Sequence, residues 1–225
     1  MVWWQVAIVV IISYFCGNIS FARIISMTKK DDITKLGSGN PGSTNILRNY
    51  GFKYGVLNLF LDMLKAYIPC IVTFYVFKQN YVMLYIAGIS SMLGHIYPIV
   101  YGFRGGKGIA TMLGMFLASN PIATLVVIVI GAIVWAIFEY GSVVSFLCIT
   151  SLTVIEGIRA RMRFCETDRK IICLILFAIF IFTWYAHRKN IERLLLGKES
   201  KASLIKKTKK KLKSKITGNN DNKVV

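Results

Sequence analysis

Three polar stretches of this chain carry the residue types that handle phosphate. The first reads Gly37-Ser38-Gly39-Asn40-Pro41-Gly42-Ser43-Thr44-Asn45-Ile46-Leu47-Arg48. Glycine lets the backbone turn and present N–H groups, the hydroxyls and amides add donors, and a concavity of N–H groups beside Arg48 suits an anion. Composition alone fits a flexible, solvated turn equally well. The second runs from Gly94-His95-Ile96-Tyr97-Pro98 to Phe103-Arg104-Gly105-Gly106-Lys107-Gly108-Ile109-Ala110-Thr111. Here R-G-G-K-G leads directly into a predicted helix, whose start offers unpaired N–H groups and the positive end of its dipole. Arg104 and Lys107 add full charges, so the stretch reads as a phosphate cradle that includes the N–H groups of Gly105 and Gly106. It is not the P-loop of soluble nucleotide-binding proteins, because the G-x-x-x-x-G-K-[ST] spacing and the preceding strand are missing. The plainer alternative is a basic loop with glycines.

His95 is one of two histidines in the chain. Placed at the end of an apolar segment, it suits an interfacial proton donor or acceptor, although a lone histidine is more often structural. The third stretch reads His187-Arg188-Lys189-Asn190-Ile191-Glu192-Arg193-Leu194, then Gly197-Lys198-Glu199. In a helix His187 and Asn190 would share a face. Standing alone, this stretch would be an ordinary basic helix end. Asp62 and Lys65 lie within an apolar segment at i, i+3, where a mutual salt bridge is the simplest account of two costly charges. Glu139 and Glu156 fall at segment ends and carry no signal. The five cysteines form no C-x-x-C pair and read as free, buried thiols. Without a Cys/His cluster, no metal or other cofactor is expected.

The elements that must position these loops are apolar. Hydrophobic residues make up 55% of the 225, in segments near 2–25, 54–77, 81–101, 108–119, 121–138, 141–158 and 171–186. A crossing of the ~30 Å bilayer core needs about 20 residues at ~1.5 Å each. The expected fold is therefore an all-α, polytopic helical integral membrane protein with seven spans, or five if two of these segments are re-entrant. Residues 1–200 form one membrane-embedded domain, and 201–225 form a Lys-rich surface-associated or disordered tail. The first segment has no basic flank and no cleavage site, so it reads as a retained span with Trp3 and Trp4 as interfacial anchors.

Two spans separate the first polar loop from the second and four separate the second from the third, which puts all three on one face of the membrane. The formal charge of +18 concentrates in these loops and in the tail, where nine Lys stand against one Asp. By the positive-inside tendency that face is cytoplasmic and the N-terminus outside, in a cell (inner) membrane. Residues 159–170 disagree, since Arg159, Arg161, Arg163, Arg169 and Lys170 fall on the outer side of this count. A basic membrane chain is expected to meet anionic lipids or substrates. Nucleic acid is not expected as a partner, because no basic-aromatic platform stands outside the membrane. The sequence does not give the oligomeric state.

Taken together, G-S-G-N-P-G-S-T-N, G-H-x-x-P…F-R-G-G-K-G-I-A-T and H-R-x-N-I-x-R-L-x-x-G-x-E resemble the three motifs of the bacterial acyl-phosphate:glycerol-3-phosphate acyltransferases, the PlsY family. Leu61-Asp62-Met63-Leu64-Lys65 is similar to that family's D-x-x-K span. The resemblance covers about residues 1–200 in order. Departures include Ala186 before His187, Ala66 after Lys65 and Arg104 for a frequent Lys.

The resemblance implies transfer of a fatty acyl group from acyl phosphate to the 1-hydroxyl of glycerol 3-phosphate, giving lysophosphatidic acid and phosphate in phospholipid synthesis. Under it, Lys107, Arg104, Gly105 and Gly106 hold one phosphate and Arg48 the other. Asn190 and His187 orient glycerol 3-phosphate. Ser38 and Asn40 position the acyl phosphate, with Asn45 in the same motif, and His95 is the leading general base. The competing reading is a transporter of a phosphorylated solute, whose marks would be an inverted repeat and polar residues at mid-membrane.

Overall fold

Side chains at i, i+3 and i+4 give long apolar runs a continuous lipid-facing stripe, and a helix satisfies every backbone polar group where no water is present. The computed structural model describes residues 2–201, and the expected tail lies outside them beyond Lys201. The helices are α1 (Trp3–Asn18), α2 (Phe21–Met27), α3 (Ser43–Tyr50), α4 (Phe52–Val76), α5 (Tyr81–Ile96), α6 (Ile109–Ser119), α7 (Pro121–Phe138), α8 (Gly141–Arg163), α9 (Glu166–Ala186) and α10 (Arg188–Leu195). Six stretches among the described residues are long and apolar enough to cross a membrane, with α1 and α2 counted together.

The segment expected to make a seventh span is α6, which has 11 residues. At ~1.5 Å per residue it covers about half of a bilayer core. It is shielded rather than lipid-exposed, with Ala110 to Phe116 buried. Asn120 caps α7 by accepting from the Ala123 N–H at 3.3 Å, and Pro121 follows at the first helical position. That cap, and the proline that cannot continue α6, end the short helix and reverse the chain.

The centre of the bundle is α5, whose span is 72% buried against 17% for α7 at the periphery. Helices in lipid gain little from hydrophobic segregation and rely on close backbone approach. The α1–α5 contact shows this. A Cβ on Gly17 would stand 2.0 Å from the Ser91 carbonyl oxygen, and one on Gly94 would stand 2.1 Å from that of Tyr14. Apolar side chains such as Ile11, Phe60, Val129, Ile137 and Leu174 point outward, as a lipid-facing surface requires.

The chain directions put the three polar loops at one end of the bundle, as the parity count expects. Lys107 donates to Asn190 Oδ1 across that end, and the Arg48 guanidinium donates to the Ser200 carbonyl at 2.5 Å. Residues 159–170 sit at the other end, where Arg159 reaches the Ser119 carbonyl and Phe164 packs on Tyr81. Two of their five cations are paired with carboxylates, Arg159 with Glu156 and Lys170 with Glu166. The cysteines are unpaired, but Cys165 and Cys173 are exposed rather than buried.

Candidate functional site

The polar end encloses two adjoining cavities. The inner one, about 130 Å³, is lined by residues from every polar loop, among them Ser38, Arg48, His95, Lys107, His187 and Asn190. The outer one, about 380 Å³, is more open and carries Arg104, Gly105, Gly106, Arg188 and Lys189. Ser38, Asn40, Lys107, Asn190 and Arg193 line both and so stand at the boundary.

Four helices begin at the inner cavity. Gly42 caps α3 and Gly108 caps α6. The first turn of α8 contributes Gly141 and Ser142, and the first turn of α10 contributes Asn190 behind its cap His187. Helix starts carry unpaired N–H groups and partial positive charge, so their convergence favours an anion before any side chain is counted. Arg48 and Lys107 add full charge. The Lys107 ammonium is pushed down to about 8, first by burial and then by Arg193, with Glu199 opposing and Arg48 reinforcing the shift.

The first loop is braced from within. Ser38 stands between Gly37 and Gly39, both at positive φ (56° and 69°), a backbone that glycine adopts without strain. Asn45 is buried, and its carboxamide is fully committed. Its Oδ1 accepts from the Ser38 N–H at 3.1 Å and from Asn49, and its Nδ2 donates to the carbonyls of Leu36 (2.9 Å) and Ile33 (3.2 Å). Asn45 therefore holds the loop that carries Ser38 and has no capacity left for a ligand, which corrects its expected binding role.

The second loop needs a similar correction. The Gly106 N–H donates to the His95 carbonyl at 3.0 Å and the Gly105 N–H to that of Ile96 at 3.2 Å. Neither hydrogen is free for a phosphate. These glycines instead permit close packing, since a Cβ on Gly106 would stand 2.1 Å from His95 Nε2 and one on Gly105 would stand 2.0 Å from the His95 carbonyl oxygen. Arg104 is exposed and lines only the outer cavity. Its backbone is fixed by Arg23, which donates to the Arg104 carbonyl at 2.9 Å and stacks over Tyr101.

In the third loop, Asn190 accepts from Lys107 and donates to Glu199 Oε1 at 2.7 Å. Glu199 also accepts from Ser142 (3.1 Å) and Arg193 (2.8 Å). Burial alone would raise its carboxyl, but the hydrogen bonds from Arg193 and Asn190 hold it below the usual range. His187 Nδ1 lies 2.9 Å from the Thr183 carbonyl oxygen, and burial, with Lys107 behind it, lowers the ring to about 4. His187 is neutral at pH 7.

Beneath the cavity, the simple Asp62–Lys65 salt bridge (2.8 Å) proves to be part of a larger cluster, with Lys65 Nζ 2.8 Å from His95 Nδ1. Sequence reasoning missed Ser142 and Ser145 of α8, which line the inner cavity, and the bracing carboxylate of Glu199. Only Glu199 left a signal, as the last residue of the third motif. Gly141 had read as no more than a weak break between two apolar runs.

Comparison with known proteins gives a consistent result. The family model for glycerol-3-phosphate acyltransferase matches residues 7–197. The glycerol-3-phosphate acyltransferase of Aquifex aeolicus is 38% identical over 191 residues, covering 84% of this chain and 95% of the relative. That of Halalkalibacterium halodurans is 40% identical over 205 residues, covering 89% and 97%. Crystal structures of PlsY, an integral membrane glycerol 3-phosphate acyltransferase, superpose well. The glycerol 3-phosphate form has a TM-score of 0.80 at 33% identity, covering 90% of this chain and 98% of that one. The lysophosphatidic acid form has a TM-score of 0.74 at 35% identity, covering 88% and 95%.

Proposed function

The chain belongs to the glycerol-3-phosphate acyltransferase family, and from that premise we propose how its own residues carry the reaction. The protein is a multi-pass membrane enzyme that acylates glycerol 3-phosphate to lysophosphatidic acid. The transporter alternative falls with that membership. The donor we assign is acyl phosphate, because it brings a second phosphate to a site with two cationic compartments. The observation that carries this reading is the convergence of four helix starts, Arg48 and Lys107 on one cavity that opens into another.

Glycerol 3-phosphate takes the smaller, inner compartment, with its phosphate on Arg48 and Lys107 and its glycerol hydroxyls near His187 and Asn190. The acyl phosphate places its phosphate on Arg104 and Lys107 in the outer compartment. Ser38 and Asn40 at the boundary donate to the carbonyl oxygen as it becomes an oxyanion, a role worth about 3–4 kcal/mol per well-placed donor. The 1-hydroxyl oxygen attacks the acyl carbon, the acyl–phosphate C–O bond breaks, and the departing phosphate takes the hydroxyl proton. An activated acyl group asks mainly for proximity and charge neutralisation. We place the catalytic end of the bundle on the cytoplasmic side, with the N-terminus outside, because the basic first and second loops and the Lys-rich tail follow the positive-inside tendency.

The test is to supply purified protein in lipid mesophase with glycerol 3-phosphate and palmitoyl phosphate, following phosphate and lysophosphatidic acid together. Matched appearance of both, dependent on glycerol 3-phosphate, is expected. Phosphate released without lysophosphatidic acid would overturn the assignment of acyl phosphate as acyl donor.

A further inference from the structure

The two histidines that line the inner cavity meet opposite kinds of partner at Nδ1. At His187 the partner is the Thr183 carbonyl oxygen, 2.9 Å away. A carbonyl only accepts, so Nδ1 carries the proton and Nε2 offers a lone pair. At His95 the partner is the Lys65 ammonium, 2.8 Å away. An ammonium only donates, so Nδ1 is the acceptor and the proton sits on Nε2.

The surroundings of Lys65 fix this arrangement. Its Nζ donates to the Ile19 carbonyl at 2.5 Å and forms an ion-pair contact with Asp62 Oδ1 at 2.8 Å, a charge contact rather than an aligned hydrogen bond. Ile19 and His95 Nδ1 thus face the donor hydrogens of the ammonium, and Asp62 balances its charge. The other Asp62 oxygen accepts from Asn58 at 2.8 Å, and Asn58 also donates to Ser43 Oγ at 2.9 Å, at the start of α3. The cluster thus ties the end of α1, α3, α4 and α5 around one imidazole. On its far side the ring lies against Gly106, where any Cβ would close off Nε2.

We propose that the two histidines are held in opposite tautomers as a donor–acceptor pair. His95 Nε2–H donates to an anionic oxygen of the substrates, and His187 Nε2 accepts the hydrogen bond of a glycerol hydroxyl. Lys65 and Asp62 are positioning residues that keep the His95 proton on Nε2. His95 is then not the general base, because neither ring nitrogen has a lone pair to offer: that of Nδ1 is taken by Lys65, and Nε2 carries the proton. This deepens the proposed acyltransfer mechanism and rests on it for the roles, but not for the tautomers.

The experiment exploits the fact that the chain has only two histidines. Protein carrying ¹⁵N-labelled histidine is studied by NMR without substrate, with His95→Gln assigning the two rings. Two neutral rings of opposite tautomer are expected, with His95 protonated at Nε2. In Lys65→Met the His95 ring should gain an Nδ1–H population while His187 stays unchanged. Asp62→Asn/Lys65→Met removes the stranded carboxylate and gives the same reading if the single variant does not fold. An imidazolium or Nδ1–H form of His95 in the unsubstituted protein, or a tautomer indifferent to Lys65, overturns the proposal.

A kinetic arm separates donor from base. His95→Gln keeps an N–H near the Nε2 position and should retain at least tenfold more kcat than His95→Ala, with KM for glycerol 3-phosphate little changed. Equal losses would overturn the donor role. An inactive native protein that still shows both tautomers would instead count against the acyltransfer reading.

Discussion

The bundle contains two acid–base pairs of the same local design, Asp62-x-x-Lys65 on α4 and Glu156-x-x-Arg159 on α8, each with its carboxylate buried and each linked across helices. At the far end, Glu156 accepts from Tyr85, from Asn120 at 2.7 Å and from Arg159 at 3.0 Å. Arg159 also donates to the Ser119 carbonyl at 2.7 Å and to Tyr81 Oη at 3.1 Å. Nothing there faces either cavity. At the site end, the chain of contacts runs out to His95, which lines the inner cavity. A buried carboxylate and an i, i+3 cation are common to the two clusters, so neither marks function. The difference lies in hydrogen-bonding capacity left open toward a space a ligand can enter. The far cluster joins α5, α6, α7 and α8, and the near one holds the His95 ring in register.

The largest expected effect breaks the far cluster. Arg159→Met strands the buried Glu156 carboxylate, and losing one partner of such a pair costs about 3–5 kcal/mol. A marked fall in melting temperature in detergent is expected, with kcat/KM per folded molecule unchanged. Loss of activity at full stability would dissolve the distinction between the two ends. The mirror-image result is expected from Lys107→Ala. Losing the shared phosphate contact should lower kcat/KM by about 10²–10³, or about 3–4 kcal/mol, while the melting temperature stays put. Full activity in that variant would sink the phosphate-clamp assignment.

Both clusters show why some of this was legible in the sequence and some was not. The motifs declare themselves because phosphate chemistry needs glycine, amide and cation close together, so Ser38, Lys107 and Asn190 were readable and do line one boundary. Parity of apolar runs placed the three loops at one end without any motif. What spacing cannot reveal is where a polar group's hydrogens already go. Asn45, Gly105 and Gly106 carry the right chemistry but are committed to backbone carbonyls. Asp62–Lys65 looked complete as a pair because His95 is 30 residues away from Lys65 in sequence. Glu156 carried no signal because its partners, Tyr85 and Asn120, come from other helices. The half-length α6 was visible as a short run, but only packing shows that its neighbours shield it from lipid.

A pH profile sharpens the contrast at the site end. Lys107 is an ammonium below about 8 and neutral above it, because burial and Arg193 disfavour its charge. Phosphate binding therefore weakens as pH rises. The kcat/KM profile, which reports the free enzyme, should fall about tenfold per pH unit on the alkaline side of about 8. Lys107→Arg stays cationic throughout, so its profile should lose that limb even if its rate is lower. An unchanged limb in that variant would assign the ionisation elsewhere. His187, lowered to about 4, should contribute nothing between pH 6 and 8.

The smallest effect tests whether the residues that escaped the sequence act on the ligand or behind it. Ser142 lines the inner cavity, and its hydroxyl donates to Glu199 at 3.1 Å. Glu199 in turn orients Asn190, and Asn190 holds Lys107. In Ser142→Ala the Glu199 carboxylate keeps Asn190 and Arg193 as donors, so the loss is one hydrogen bond, about 1 kcal/mol. KM for glycerol 3-phosphate should rise about fivefold with kcat unchanged. A loss of a hundredfold or more would mean that Ser142 touches the substrate itself. The first turn of α8 would then belong among the binding elements with the three motifs, and its silence in the sequence would reflect how little a Gly-Ser pair at the start of an apolar run reveals.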